Sequence, residues 1–376
     1  MNQKTPMRPL MPSDPSGGGS AGERIRRDRE LLIMLTVALS LLLLLLAFFT
    51  PVAWRRAQAD AAPEAQKKPD SEQSGEPSGE LNASTNGTAT DTQGELPVGN
   101  EPDYAKYMPV ITDATLTIED GALDASHAIL VDLTTGEALA QRLADERIYP
   151  ASMTKIMTVL VAAEMLSGAE LEMTVTMSAE IVDAAIREGA SRAGFEPEER
   201  VKLIDLLYGA ALPSGADATS ALARYLAGSE AQYVELMNQK AEKLGLENTH
   251  FVNASGLHDD GHYSTVREIA ALMSYAMDND LCRRLLSAAS YTTSATDQHP
   301  YGITLYSTTF SRMTSTSFGP VSVIAGKTGY TEEARFCLVS LATRPDGREY
   351  VLVTVGGSSK YAPVSDCDQV YGKYLF

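Results

Sequence analysis

The order of patterns along this chain predicts a single α/β domain, a mostly antiparallel sheet beside a cluster of helices. Two observations carry that expectation. Strand-like runs at about 128–132 and 137–142 flank Thr134-Thr135-Gly136, a hairpin signal, and three further strand patterns return at about 321–326, 335–344 and 349–356 after a long helical middle. Tight turns between successive strands, such as Pro345-Asp346-Gly347, imply antiparallel pairing. The order strands, helices, strands means that both ends of the domain feed one sheet.

Taken in order, residues 1–30 are polar and end with Arg24, Arg26, Arg27 and Arg29, as expected of a cytoplasmic tail. Residues 31–49 are about 19 nearly continuous apolar residues, enough as a helix to cross roughly 28 Å of hydrocarbon, and predict a transmembrane anchor. Arginines ahead of the run favour N-in, C-out insertion, although Arg55 and Arg56 beyond it reduce the asymmetry. The expected location is therefore the cell membrane, single-pass, with the domain extracytoplasmic. The alternative is secretion after signal cleavage at Ala57-Gln58-Ala59, against which stand the long apolar core and the two arginines. Residues 57–103 are rich in Glu, Asp, Ser, Gly, Pro, Thr and Asn and cannot build a core, so they are expected to form a disordered acidic linker. As a flexible coil it would span roughly 35 to 40 Å.

The catalytic domain is expected over residues 104–376. Helical periodicity runs from Pro150 to about Leu166, then come a short strand at about 173–177 and helical patterns at about 201–208, 217–226, 230–244 and 266–277. A closing helix from about Pro363 would cover one face of the sheet. The chain has 376 residues, 44% of them hydrophobic and 21% charged, ample for one large core. Its 31 basic and 49 acidic residues give a formal charge of -18, which argues against nucleic acid as a partner. Cys282, Cys337 and Cys367 are odd in number and far apart, so neither a disulfide framework nor a cysteine metal site is legible.

Chemistry is suggested first by Pro150-Ala151-Ser152-Met153-Thr154-Lys155. Residues three apart on a helix are neighbours, so Ser152 Oγ and the Lys155 amine can meet near the positive end of the helix dipole. A buried lysine can lose its proton and act as a base, which activates the serine without a histidine. Alone, Ser-x-x-Lys usually means a cap and a solvated amine. Downstream, however, Ser214-Gly215-Ala216 follows Leu212-Pro213, and Lys327-Thr328-Gly329 ends a strand pattern, which completes a known three-part set. Competing sites are weaker. His258 and His262 have ligand-like spacing but lie in a glycine-punctuated loop, Glu235 sits in an amphipathic helix pattern, and Arg335 and Arg348 fit solvated strand ends as well as anion binding.

With Tyr149-Pro150-Ala151-Ser152-Met153-Thr154-Lys155, Leu212-Pro213-Ser214-Gly215, Ser255-Gly256-Leu257, His262-Tyr263-Ser264-Thr265 and Gly326-Lys327-Thr328-Gly329-Tyr330-Thr331, residues 128–358 resemble the low-molecular-mass penicillin-binding proteins that are serine-type D-alanyl-D-alanine carboxypeptidases. The resemblance implies the β-lactamase/DD-peptidase-like fold, with the site between sheet and helices. It implies Ser152 as the acylated nucleophile, Lys155 as its base, and Ser214 as relay to the leaving amine. Lys327 and Thr328 would bind the substrate carboxylate, Gly329 would let substrate lie along the strand, and the backbone N–H groups of Ser152 and Tyr330 would form the oxyanion hole. No metal or other cofactor is implied. The partners are a peptidoglycan stem peptide, β-lactam inhibitors, and the membrane through the N-terminal helix.

The expected function is removal of the terminal D-Ala of stem peptides by a membrane-tethered, penicillin-sensitive enzyme. The family pattern has Asn where this chain has Ala216, and Asp217 or a bound water is expected to take over part of that contact. Two alternatives follow: a β-lactamase of the same fold, which lacks a convincing deacylating glutamate, and a weakly active penicillin-binding module.

Overall fold

The computed structural model describes residues 103–375. The expected tail, the apolar run and the linker up to residue 102 lie outside the described residues. Among the described residues, no helix is long and apolar enough to cross a membrane.

The chain opens with β1 (Leu116–Thr117), β2 (His127–Asp132) and β3 (Glu137–Arg142), the last two joined by the expected hairpin. A 3-10 turn, Ala151–Thr154, then runs into α1 (Lys155–Met165). There follow β4 (Thr174–Thr176), α2 (Ala179–Arg187), β5 (Arg200–Lys202), α3 (Leu203–Ala211), α4 (Ala216–Ala227), α5 (Glu230–Lys243), α6 (Val266–Asp278) and α7 (Asp280–Ser287). The chain returns through the small hairpin β6 (Ser290–Thr292) and β7 (Thr304–Tyr306) to β8 (Ser317–Phe318), β9 (Val321–Thr331), β10 (Arg335–Thr343) and β11 (Glu349–Gly357), and closes with α8 (Ala362–Tyr374).

The main sheet has seven strands in the order β1-β3-β2-β11-β10-β9-β8, and only the β1–β3 pair is parallel. Strand β2 from the start of the domain therefore lies beside β11 from its end, as the order of patterns predicts. Side chains alternate across a strand, and here both faces are covered. Ile129 and Val131 of β2 join the core with the helices, while Ala128 and Leu130 pack on the α8 side with Val370 and Tyr371. Burial on both faces explains why the strands are near-continuous apolar runs. Helix α1 is buried from Lys155 through Ala163, so it is the central rod of the helical layer and shows no polar face.

Four details differ from expectation. Val201 belongs to β5, paired with Val175, and the helix begins only at Leu203. Strand β9 continues through Lys327-Thr328-Gly329 to Thr331, because that whole stretch pairs with β10. Helices α2 and α7, unforeseen, are short pieces capped by Ser178 and Asn279. The nucleophile segment starts as a 3-10 turn, in which residues three apart eclipse, so Ser152 and Lys155 are still brought together. All three cysteines are buried free thiols.

Candidate active site

The residues singled out above converge on a cleft of about 300 Å³ between β9 and the helical layer. On its helical side, Lys155 Nζ donates to Ser152 Oγ at 3.2 Å and to the carbonyl of Ser255. Burial pushes the Lys155 amine down to about 7, against the opposing pull of the Asp217 and Glu230 carboxylates. The loop that supplies the Ser255 carbonyl is itself fixed. Asn253 Oδ1 accepts from Gly256 N at 2.7 Å, Thr158 Oγ1 donates to Ala254 O at 2.7 Å, and Thr154 Oγ1 meets His262 Nε2 at 2.7 Å. Since Val252 N donates to His262 Nδ1 at 3.2 Å, the imidazole proton belongs on Nε2 and is given to Thr154. Burial pushes His262 down to about 4, so the ring stays neutral.

Backbone packing is tight around Ser152. Gly256 has φ +78, and a Cβ there would lie 2.0 Å from Ala151 O. Gly329 of β9 presses on the same turn, where a Cβ would meet Pro150 O at 3.0 Å and Ser152 N at 3.3 Å. Ala151 itself has φ +47 and Ser214 φ +66, both in the left-handed region that non-glycine residues avoid. The strain flanks the two serines expected to move protons, a common place for it.

The opposite side is built by β9. Lys327 Nζ donates to Ser214 Oγ at 2.9 Å and to Thr328 O at 3.0 Å, and Thr328 Oγ1 meets Thr308 Oγ1 at 2.7 Å. Lys327 is almost wholly buried behind Ser214, whereas Ser214, Thr308, Thr328 and Arg312 line the cleft. Burial holds Lys327 well below the usual lysine range, and the nearby positive charges, Lys155 and Arg312, push it the same way. Arg312 Nη1 is buried and has no hydrogen-bond partner among the described residues.

A family model described as D-alanyl-D-alanine carboxypeptidase matches residues 114–359, a segment that contains every part of this cleft except Lys360 at its rim. The chain belongs to this carboxypeptidase family. D-alanyl-D-alanine carboxypeptidase DacF of Bacillus subtilis (strain 168) is 34% identical over 233 residues, covering 62% of this chain and 57% of the relative. D-alanyl-D-alanine carboxypeptidase DacC of Escherichia coli (strain K12) is 39% identical over 171 residues, covering 44% and 42%. The chain thus spans about half the length of these two curated relatives. The crystal structure of the Streptomyces K15 DD-transpeptidase superposes with a TM-score of 0.60 at 30% identity, covering 68% of this chain and 99% of that one. D-alanyl-D-alanine carboxypeptidase from Mycobacterium tuberculosis H37Rv gives a TM-score of 0.58 at 28% identity, covering 70% and 93%.

Within this carboxypeptidase frame, Ser152, Lys155, Ser214, Thr328, Gly329 and Tyr330 all line one cleft. Tyr330 is half-exposed with its ring 4.4 Å from that of Phe336. Other sequence candidates stay outside. Glu235 is exposed on α5. Arg335 caps the β9–β10 hairpin in a left-handed conformation, and Arg348 pairs with Asp346 at 2.8 Å in the distant turn. His258 stacks edge-on against Tyr149 while His262 is turned to Thr154, so the two do not converge. Asp217 does not replace the missing asparagine amide, because its carboxylate is committed to the backbone N–H groups of Ala193, Gly194 and Ala218. Thr308, Arg312, Ser191 and Lys360 also line the cleft and carried no sequence signal, since each lies outside the motifs and outside the long helices and strands.

Proposed function

We propose that the chain is a serine D-Ala-D-Ala carboxypeptidase acting on peptidoglycan stem peptides through an acyl-enzyme on Ser152. The observation that carries this reading is a desolvated Lys155 amine 3.2 Å from Ser152 Oγ, in one cleft with Ser214, Thr328 and the Arg312 guanidinium. Lys155 takes the Ser152 proton as Oγ bonds to the carbonyl carbon of the penultimate D-Ala, and the carbonyl electron pair moves to oxygen. The N–H groups of Ser152 and Tyr330 receive that oxyanion, usually the largest catalytic contribution. Ser214 passes a proton to the departing amine as the C–N bond breaks, and water later hydrolyses the ester. The substrate carboxylate is received by Ser214, Thr308, Thr328 and Arg312, backed by Lys327. Arg312 in particular offers a buried donor with no protein partner among the described residues, which suits a bound anion.

By the same reading the enzyme is β-lactam-sensitive, with Ser152 as the labelled residue. It is held at the cell membrane by residues 31–49 with the domain outside. The test is to incubate the full chain with labelled penicillin and with a pentapeptide ending in D-Ala-D-Ala. Slow labelling at Ser152 with release of D-Ala, both lost in Ser152→Ala, is expected. Mass mapping of the adduct to another serine would refute the assignment. Rapid penicillin turnover would mean a β-lactamase, and labelling without D-Ala release a binding module. Fractionation tests the tether: the full chain should enter the membrane, and a mature N-terminus near Asp60 would mean secretion instead.

A further inference from the structure

One wall of the cleft, carrying Gly189, Ala190 and Ser191, belongs to residues 188–199, a stretch between α2 and β5 with no strand or helix of its own. Something else must hold it in register. Asp217, fully buried at the second residue of α4, does so with both carboxylate oxygens: Oδ1 accepts from Ala193 N at 2.8 Å and Ala218 N at 3.0 Å, and Oδ2 from Gly194 N at 3.1 Å. Beside it, Ala216 N donates to Ser191 O at 2.7 Å. Gly215 lies in the seam, where a Cβ would come within 2.6 Å of Asp217 Oδ1 and 2.7 Å of Ala193 N. The wall and the Ser214-Gly215-Ala216 turn are thus joined around one carboxylate.

That carboxylate is also the largest opposing charge at the amine on the far side of the turn. The charges that act on Lys155 are the carboxylates Asp217 of α4 and Glu230 of α5, with Lys327 of β9 and the neutral His262, before α6, also near enough to couple to it. Glu230 is itself tied to Ala254 N at 3.0 Å, next to the Ser255 carbonyl that Lys155 contacts.

We propose that Asp217 is a positioning residue of the site, clamping the 189–195 wall to the Ser214 turn and holding a buried carboxylate next to Ala216, which lines the cleft with Lys155. The inference rests on the catalytic reading above only for its effect on rate. A carboxylate placed there merely to hold the backbone would leave the ionisation of Lys155 untouched, and that difference is measurable.

The experiment titrates Lys155 by NMR in full-chain protein labelled at lysine, with Lys155→Arg to assign the signal, in wild type, Asp217→Asn and Asp217→Glu. Removing the charge makes the ammonium easier to deprotonate, so Asp217→Asn should lower the midpoint from near 7 by about one unit. Asp217→Glu keeps the charge but displaces the clamp. Its midpoint should move by no more than a few tenths, while D-Ala release falls about tenfold or more. Amide exchange at Ala193 and Gly194 should quicken at least about tenfold in both variants. An unchanged midpoint in Asp217→Asn overturns the proposal, as does unchanged exchange or full activity in Asp217→Glu. If Asp217→Asn yields no folded protein, exchange and rate in Asp217→Glu decide. If wild type releases no D-Ala, the catalytic reading fails while titration and exchange still judge Asp217.

Discussion

The two lysines of the cleft have the same immediate contacts and opposite surroundings. Each gives one hydrogen bond to a serine hydroxyl and one to a backbone carbonyl: Lys155 to Ser152 and Ser255, Lys327 to Ser214 and Thr328. Burial disfavours the charged form of both. Around Lys155 the added charges are the carboxylates Asp217 and Glu230, which partly restore its basicity and leave it near 7. Around Lys327 they are Lys155 and Arg312, both positive. One lysine therefore carries its counter-charge within the fold and is poised between its two protonation states. The other sits in a corner whose charged neighbours are cations only, which push it toward the neutral amine, and a carboxylate bound there would favour its charged form. Hydrogen-bond partners alone do not separate the two lysines; the next layer of charge does, in the sense that suits the proposed roles of base and anion receiver.

The sharpest way to break this comparison is Lys155→Met. D-Ala release should fall by about 10³-fold or more, as expected for loss of a general base. The same variant should be more stable than wild type. Lys155 is protonated in the unfolded chain up to about pH 10.5 and in the folded one only up to about 7, so its burial destabilises the fold fully below about 7 and ceases to do so as pH rises through 10.5. A urea titration at pH 6 should show a gain on the order of 2 to 4 kcal/mol, shrinking toward pH 10. No gain would mean that the amine is well solvated, contrary to its burial.

Ala216 lies between the two lysine walls, and Ala216→Asn tests what the missing amide is worth. One hydrogen bond at a desolvated site corresponds to about 1 to 3 kcal/mol, so the rate of D-Ala release should change by no more than a few hundred-fold. Arg312→Gln addresses the cationic corner. It should raise KM for the pentapeptide roughly ten- to fifty-fold yet make little difference with a C-terminal amide, where no carboxylate is present. Equal losses with both peptides would detach Arg312 from carboxylate binding. Finally, kcat/KM should fall about tenfold per pH unit below about 7, as Lys155 takes up its proton. A flat profile down to pH 5 would assign the base elsewhere.

Sequence disclosed what depends on near neighbours. Ser152 and Lys155 are three residues apart, so helical geometry alone brings them together, and the β2–β3 and β10–β11 hairpins are marked by their turn residues. Resemblance added Ser214 and the Lys327-Thr328-Gly329 stretch, which no local rule ties to Ser152. What stayed hidden is tertiary. Arg312 and Thr308 come from the irregular segment before β8, and Glu230 reaches the site from the start of α5 rather than from the Glu235 position. The sequence offers Asp217 as a substitute for the amide, but only the path of residues 191–194 reveals that its oxygens are already occupied. Helices α2 and α7 are short pieces whose Ser178 and Asn279 caps are their clearest sequence signal.

The glycines against the Ser152 turn bear on how such an enzyme can change over generations. A side chain at Gly256 would collide with Ala151 O, and one at Gly329 would crowd Pro150 O, so the floor beneath Ser152 excludes a side chain at the first and is tight at the second. The rim is less confined: Ser191 and Lys360 line the cleft with exposed side chains. If the proposed reaction is right, heritable variation in which peptide is accepted is thereby channelled to the rim, and the packing underneath is left fixed.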